Sequence, residues 1–281
     1  MIMSLTQIIG SLELGLIYGI VALAVYMSFR ILDFPDMTVD GSLPLGASIC
    51  AALMVHGMDP WTAVLLAFFG GCLAGLVTGI LNVRFKILGL LSGILTMTAL
   101  YSVNLRIMGR PNIALMAENS VFDAVKPWAL LMVLVGLIWI LLYSFFMTDL
   151  GLGIRAIGIN PRVSRAYGVS VSRMTLLTLS FSNGLVALAG ALLCQMQGFA
   201  DVNMGLGTIV IGLASVILGE AILPSRSLLW RFFACILGSL LYRIVIALAL
   251  NAGDFGLKSS DLNLVTAAIV ALTMIASRRK S

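Results

Sequence analysis

Charge is what this chain has least of. Only 10% of its 281 residues are Asp, Glu, Lys or Arg, while 60% are hydrophobic. A soluble domain carries roughly 25% charged residues, so this composition, with a mean hydropathy of +1.10, cannot cover a water-facing surface. Histidine is nearly missing as well, with His56 alone. The four cysteines (Cys50, Cys72, Cys194, Cys235) all sit inside apolar runs, none at CxxC spacing. A disulfide framework and a structural zinc site are therefore not expected. The sequence has no GxxxxGK[ST] loop to cradle ATP phosphates, no HExxH pair and no nucleophile elbow. The expectation is a conduit or receptor without a cofactor or an ATPase site of its own. If it pumps, the energy comes from an ion gradient or a partner. No basic n-region or clear cleavage site opens the chain, so the first apolar run reads as a retained span. No linker or low-complexity tract divides residues 1–281, which read as one membrane domain.

What is present is apolar length. Hydrophobic spans are predicted at 6–29, 42–57, 61–83, 87–108, 128–147, 174–196, 205–223, 228–250 and 263–277. Runs near 20 residues suit helices, whereas a barrel strand needs about 10 alternating residues. The fold class expected is all-α: a polytopic transmembrane helical bundle of about 8–10 spans. The second span is short and follows Asp33-Phe-Pro-Asp36-Met-Thr-Val-Asp40-Gly-Ser, too polar to face lipid. This pattern predicts a broken second helix lining a cavity. Double GxxxG spacing at Gly71, Gly75 and Gly79, with Gly15/Gly19 and Gly89/Gly93, predicts close backbone packing inside the bundle in preference to a dimer seam.

The net charge of +5 is no nucleic-acid signal here, because Lys and Arg mark cytoplasmic loops in membrane proteins. Counting back from Arg278-Arg279-Lys280 puts the loops with Arg226, with Arg155 to Arg173, and with Arg84 and Lys86 inside. The loops with Asp59, with Glu118 and Asp123, with Asp201, and with Asp254 and Asp261 fall outside. Arg110, Lys126 and Lys258 are the exceptions. Nine spans put the N-terminus outside.

Residues 148–173 form a polar, arginine-rich island between two spans. Asn160 can cap a helix, Pro161 suits its first position and Gly168 the residue past its end. A helix of about two turns over 161–167 is therefore predicted, shaped to dock on a cytoplasmic partner; a bare positive-inside loop needs no such punctuation. Glu13 and Arg243 sit deep in spans, where they can pair or flank a path, and Glu220 has Arg226 and Arg231 close by in sequence. Asp33, Asp36 and Asp40 lie near Arg30; Asp40 or Ser42 can cap the second helix, or the cluster can line the broken segment. Thr98, Tyr101 and Asn104 share one face of the fourth span, and Thr175, Thr178 and Ser182 one face of the sixth. Such stripes suit a pore or interhelical hydrogen bonds equally.

The pattern Gly153-x-Arg155-Ala156-x-Gly158-x-Asn160-Pro161, followed by Arg165-Ala166-x-Gly168-Val169, resembles the coupling-loop signature of ATP-binding-cassette (ABC) importer permeases of the branched-chain amino acid type. Ser182-Asn183-Gly184, with Ala187, Ala189 and Gly190, resembles the small-residue span that follows it. Asp33-Phe34-Pro35-Asp36-Met37 stands where that family usually has Asn-Phe-Ala-His-Gly. The stretches Phe34–Ser42 and Gly93–Ser102 are similar to a subgroup of permeases that includes ones associated with tryptophan or tyrosine uptake. The resemblance implies a permease homodimer or pair in a bacterial plasma membrane, separate cytoplasmic ABC ATPase subunits, and an extracellular or periplasmic substrate-binding protein. It implies ATPase coupling through Arg155, Gly158, Asn160, Pro161, Arg162, Arg165 and Gly168. The residues themselves suggest a translocation path through Asp33, Asp36, Asp40, Thr98, Tyr101, Asn104, Thr178, Ser182 and Asn183. A stand-alone ion-coupled transporter is the rival reading; it requires inverted repeats with matched broken helices, and only one broken segment is legible. A membrane scaffold without transport is the third.

Overall fold

The computed structural model describes residues 5–115, 120–123 and 125–251. The expected span at 263–277, together with Glu118, Asn119, Asp254, Lys258, Asp261 and the basic residues 278–280, lies outside the described residues. Ten α-helices run through what is described: α1 Leu5–Val25, α2 Val39–Val55, α3 Pro60–Val83, α4 Gly89–Met108, α5 Pro127–Phe146, α6 Asp149–Ile159, α7 Pro161–Ala166, α8 Val171–Gln197, α9 Thr208–Ile222 and α10 Leu228–Asn251. Two three-residue strands, β1 Asn112–Ala114 and β2 Phe199–Asp201, pair antiparallel. Six helices are long and apolar enough to cross a membrane, and two shorter apolar ones, α2 and α9, accompany them. Leu73, Val133 and Ile140 are each more than half exposed, as lipid-facing side chains are.

The eight spans expected within the described residues match helices to within a few residues. Besides the small sheet, two helical elements were not expected. α1 runs on into a π-helical turn, Tyr26–Ile31, whose end is closed by Leu32 N–H donating to Met27 O (3.1 Å) and Phe34 N–H to Ser28 O (2.9 Å). The chain then reverses at Asp33, in the left-handed region at φ 58°, where a short polar side chain is tolerated better than most. The second element is α6, which had read as loop. Its glycines are contact points, not breaks: Gly151 lies on the backbone of Phe145 and Phe146, and Gly158 on the carbonyl of Ile31.

The long helix α8 is the centre of the bundle, and small residues let its neighbours reach it. Gly71, Gly75 and Gly79 of α3 sit against Asn183 and Ala187, Leu179, and Leu176. On the other side Gly46 of α2 meets Ala187, and Gly190 meets Leu43. Gly15 and Gly19 receive Leu240 and Ile236 of α10. All three GxxxG patterns thus serve internal contacts, Gly89 and Gly93 facing Phe34 and Met37.

A Cβ at Gly46 would strike the Ala187 carbonyl oxygen, whereas a Cβ at Gly136 has nothing within 4 Å. Backbone against backbone cannot relax by rotamer change, so Gly46→Ala is expected to cost about 1–3 kcal/mol. Thermal unfolding in detergent would show a lowered midpoint for Gly46→Ala and none for Gly136→Ala; equal midpoints would refute this packing.

Candidate functional site

Two regions carry polar chemistry, one at the arginine-rich end and one inside the bundle. At the arginine-rich end Thr148 caps α6, its hydroxyl accepting from Gly151 N–H. The helix buries Gly151, Ile154 and Ile157, an apolar stripe at helical spacing. Asn160 then leaves helical geometry (φ −156°) and joins α6 to α7. Its Oδ1 accepts from Arg162 N–H (3.0 Å) and Val163 N–H (3.2 Å), satisfying two otherwise orphaned amides. Pro161 occupies the first helical position. Ser164 is buried and donates to Asn160 O at 2.9 Å. Gly168, at φ 83°, ends the segment. The helix expected at 161–167 is present over 161–166.

The arginines of this segment separate. Arg162 and Arg165 are exposed. Arg155 turns into a cavity of about 200 Å³ with Arg30, Arg226 and Arg231. A second cavity, about 320 Å³, lies between the α3–α4 connection and α7–α8 and includes Asn82, Lys86, Arg165 and Thr175. The open surface is apolar as much as basic: Ile159 is 87% exposed, Tyr167 84% and Val163 49%. These three were not singled out from the sequence. Their signal was available, since Val163 and Tyr167 are four apart and interrupt a basic run.

Inside the bundle, Asp36 is buried and both its oxygens accept hydrogen bonds, Oδ1 from Thr38 N–H (2.9 Å) and Oδ2 from Asn183 Nδ2 (2.6 Å). Asn183 Nδ2 also donates to Leu179 O (3.0 Å), and its Oδ1 accepts from Ser42 Oγ (2.7 Å). The hydroxyls of Thr38 and Thr78 meet at 2.7 Å. Asp36, Thr38, Ser42, Thr78 and Asn183 thus tie α2, α3 and α8 together at the point where α2 begins. Thr38 and Thr78 are additions to the sequence reading.

Asp40 has a different task from the one expected of it. It already stands inside the first turn of α2, so it cannot cap that helix. Instead Oδ2 accepts from Gly207 N–H (3.2 Å) and Oδ1 from Ile209 N–H (2.7 Å), closing the start of α9. An acid at a helix N-terminus is favoured by the exposed amides and the macrodipole. Asp40, Tyr101 and Asn104 line a cavity of about 80 Å³ with Gly41, Pro44 and Asn203. Asn104 is fully buried; its Nδ2 donates weakly to Gly41 O (3.4 Å), and its Oδ1 has no hydrogen-bond partner among the described residues.

The other path candidates stand apart. Asp33 is exposed at the turn. Thr98 is exposed, its hydroxyl bonded to the carbonyls of Ile94 and Leu95. Thr178 donates to Met174 O and Ser182 to Ala24 O, each at 2.8 Å. Glu220 pairs with Arg30, Nε to Oε1 at 3.1 Å, and not with Arg226 or Arg231, its neighbours in sequence. Arg243 lies over the Tyr18 ring, 3.9 Å from its centroid, and not against Glu13. No group of three metal-ligating side chains occurs among the described residues.

Residues 7–277 match the family model described as the permease component of the branched-chain amino acid transport system. The chain belongs to that permease family. The tyrosine transport system permease protein of Clostridioides difficile is 43% identical over 267 residues, 95% of this chain and 90% of the relative. The ribose import permease protein of Bacillus subtilis is 28% identical, covering 98% of this chain and 85% of its own length. Among solved structures, a chain of PsaBC from Streptococcus pneumoniae in complex with Fab superposes with a TM-score of 0.54 at 16% identity, over 94% of this chain and 89% of that one. That likeness extends to the fold alone. The permease is accordingly a multi-pass membrane component of an ABC-type transport system.

Proposed function

We propose that the permease is the transmembrane subunit of an ABC importer for an amino acid, driven by a separate ATPase. The supporting observation is the α6–α7 element, a capped projection with Val163 and Tyr167 of its second helix open to solvent. Exposed apolar side chains rimmed by basic ones mark a partner site. In this reading the arginine-rich end is cytoplasmic, the membrane is the bacterial inner membrane, and residues 148–173 are the coupling loop of a single domain. Arg162 and Arg165 steer an acidic partner, and Gly158 seats α6 on the Ile31 carbonyl at the end of the π-turn. Pairing with a second permease, and delivery by a binding protein at the opposite end, complete the assembly.

The solute is proposed from the 43% identical relative, named for tyrosine transport. The cavity lined by Asp40, Tyr101 and Asn104 is the proposed passage, with Asn104 Oδ1, buried and without a partner among the described residues, an acceptor in its wall. Asp36 and Asn183 hold the wall of that passage. Two short helices, α2 and α9, meet at Asp40, an arrangement the ion-coupled reading also wants, but membership in the permease family favours the ATP-driven one.

Reconstitution decides between them. Vesicles containing the permease, its ATPase and its binding protein are expected to accumulate tyrosine only with ATP inside the ATPase-bearing compartment. Uptake by the permease alone under a proton or sodium gradient would reject this function. ATP-driven uptake of ribose but not of tyrosine would reject the solute.

A further inference from the structure

The cavity of about 200 Å³ at the arginine-rich end is lined by four arginines from four separate segments: Arg30 from the π-turn, Arg155 from α6, Arg226 from the α9–α10 connection and Arg231 from α10. Charge is poorly balanced there. Arg30 has Glu220, and Arg231 Nε donates to Ser225 O at 2.9 Å. Among the described residues neither Arg155 nor Arg226 forms an ion pair. A topological excess of positive charge needs only a number of basic residues per loop; it does not need convergence on one recess. Like charges held together are unfavourable unless an anion joins them, and the planar guanidinium fork matches phosphate oxygens two at a time.

The residues that flank these arginines in sequence point to the kind of anion. Next to Arg30 stands Phe29, 41% exposed, next to Arg231 stands Trp230, 49% exposed, and Ile222, four residues before Arg226, is also 49% exposed. Aromatic and aliphatic side chains beside basic ones are the composition of a membrane boundary. Basic recesses between spans suit phospholipid headgroups. We infer that this four-arginine cavity is a binding site for a phosphate-bearing anion, filled by the headgroup of an anionic phospholipid whose acyl chains lie along Phe29, Ile222 and Trp230. The inference needs no ATPase and is independent of the coupling role given to α7.

The test uses the full-length permease in neutral detergent, without ATPase, and native mass spectrometry with short-chain phosphatidylglycerol, phosphatidylcholine or inorganic phosphate added. Phosphatidylglycerol is expected to be retained at least tenfold better than phosphatidylcholine. Arg155→Gln/Arg226→Gln should erase that preference, and Arg226→Gln alone, at an exposed loop position, should weaken it severalfold without risk to the fold. Arg162→Gln/Arg173→Gln, outside the cavity, should keep it. Displacement of the lipid by millimolar inorganic phosphate would assign the site to free phosphate compounds; resistance to it would assign the site to lipid. Equal retention of the two lipids would overturn the inference. So would a preference that survives the double substitution, including the case in which that variant instead loses affinity for the ATPase.

Discussion

Aspartate at both Val163 and Tyr167 is expected to reduce ATP-driven uptake to background while the bundle stays folded. Both side chains are open to solvent, 49% and 84% exposed, so their loss removes little from the isolated permease; surface changes of this kind fall within about 0.5 kcal/mol. The seat of α7 does not depend on them either. Its Asn160 cap and the buried Ser164 hydroxyl bond to backbone groups, and neither the Val163 nor the Tyr167 side chain takes part. In the docked assembly the balance reverses. An aromatic anchor at an interface centre contributes about 2 kcal/mol or more, and a carboxylate in its place adds desolvation without a partner. With the carboxylate that replaces the aliphatic Val163 added to the loss of Tyr167, the total is roughly 4 kcal/mol, close to a thousandfold in dissociation constant. Pull-down of the ATPase by the detergent-solubilised variant would measure it. Arg162→Gln and Arg165→Gln should act more weakly and mainly at low salt, because rim charges chiefly alter the rate of encounter. Retained ATPase binding in the doubly substituted permease would move the docking site elsewhere.

A second large effect is expected at Asn183. Asn183→Asp sets another acid 2.6 Å from Asp36, where both Asp36 oxygens already act as acceptors and neither residue is open to water. Two facing carboxylates repel unless a proton lies between them. Removing the donor to a buried carboxylate costs about 3–5 kcal/mol, a large part of a typical stability of roughly 5–15 kcal/mol. The variant should be lost from the monodisperse fraction in gel filtration. The exchange Asp36→Asn/Asn183→Asp restores a donor facing an acceptor, and Ser42 can still donate to the new carboxylate. Recovery should be partial, since Leu179 O loses the amide that now reaches it at 3.0 Å. A stable single variant, or an exchange no better than it, would show that this contact does not hold α2 to α8.

The contrast between these two sites explains what could be read in one dimension. Span positions were legible because hydrophobic length is a local property, and the boundaries of α3, α5 and α10 fall within a residue or two of those expected. The cap at Asn160 was legible because donor and acceptor lie within three residues. α6 was not, since Gly151, Gly153 and Gly158 weaken helix propensity and their use in close contact with Phe146 and Ile31 depends on tertiary structure. Asp36 and Asn183 were each suspected, but 147 residues separate them, and no spacing rule joins them. Asp40 failed as a cap for its own helix for the same reason: the amides it serves are 167 and 169 residues away. The π-turn after Val25 leaves no mark in composition.

The small sheet has a mechanical corollary. Its strands continue directly from α4 and α8, and the lacing extends past them through Leu115 N–H to Gly198 O and Val202 N–H to Pro111 O. Those two helix tips are thereby buttoned to each other, and Val202 and Asn203, which line the small hollow, hang from the same fastening. A solute arriving on that side finds a hem that cannot part between α4 and α8 without unzipping; widening must come from helices outside the stitch.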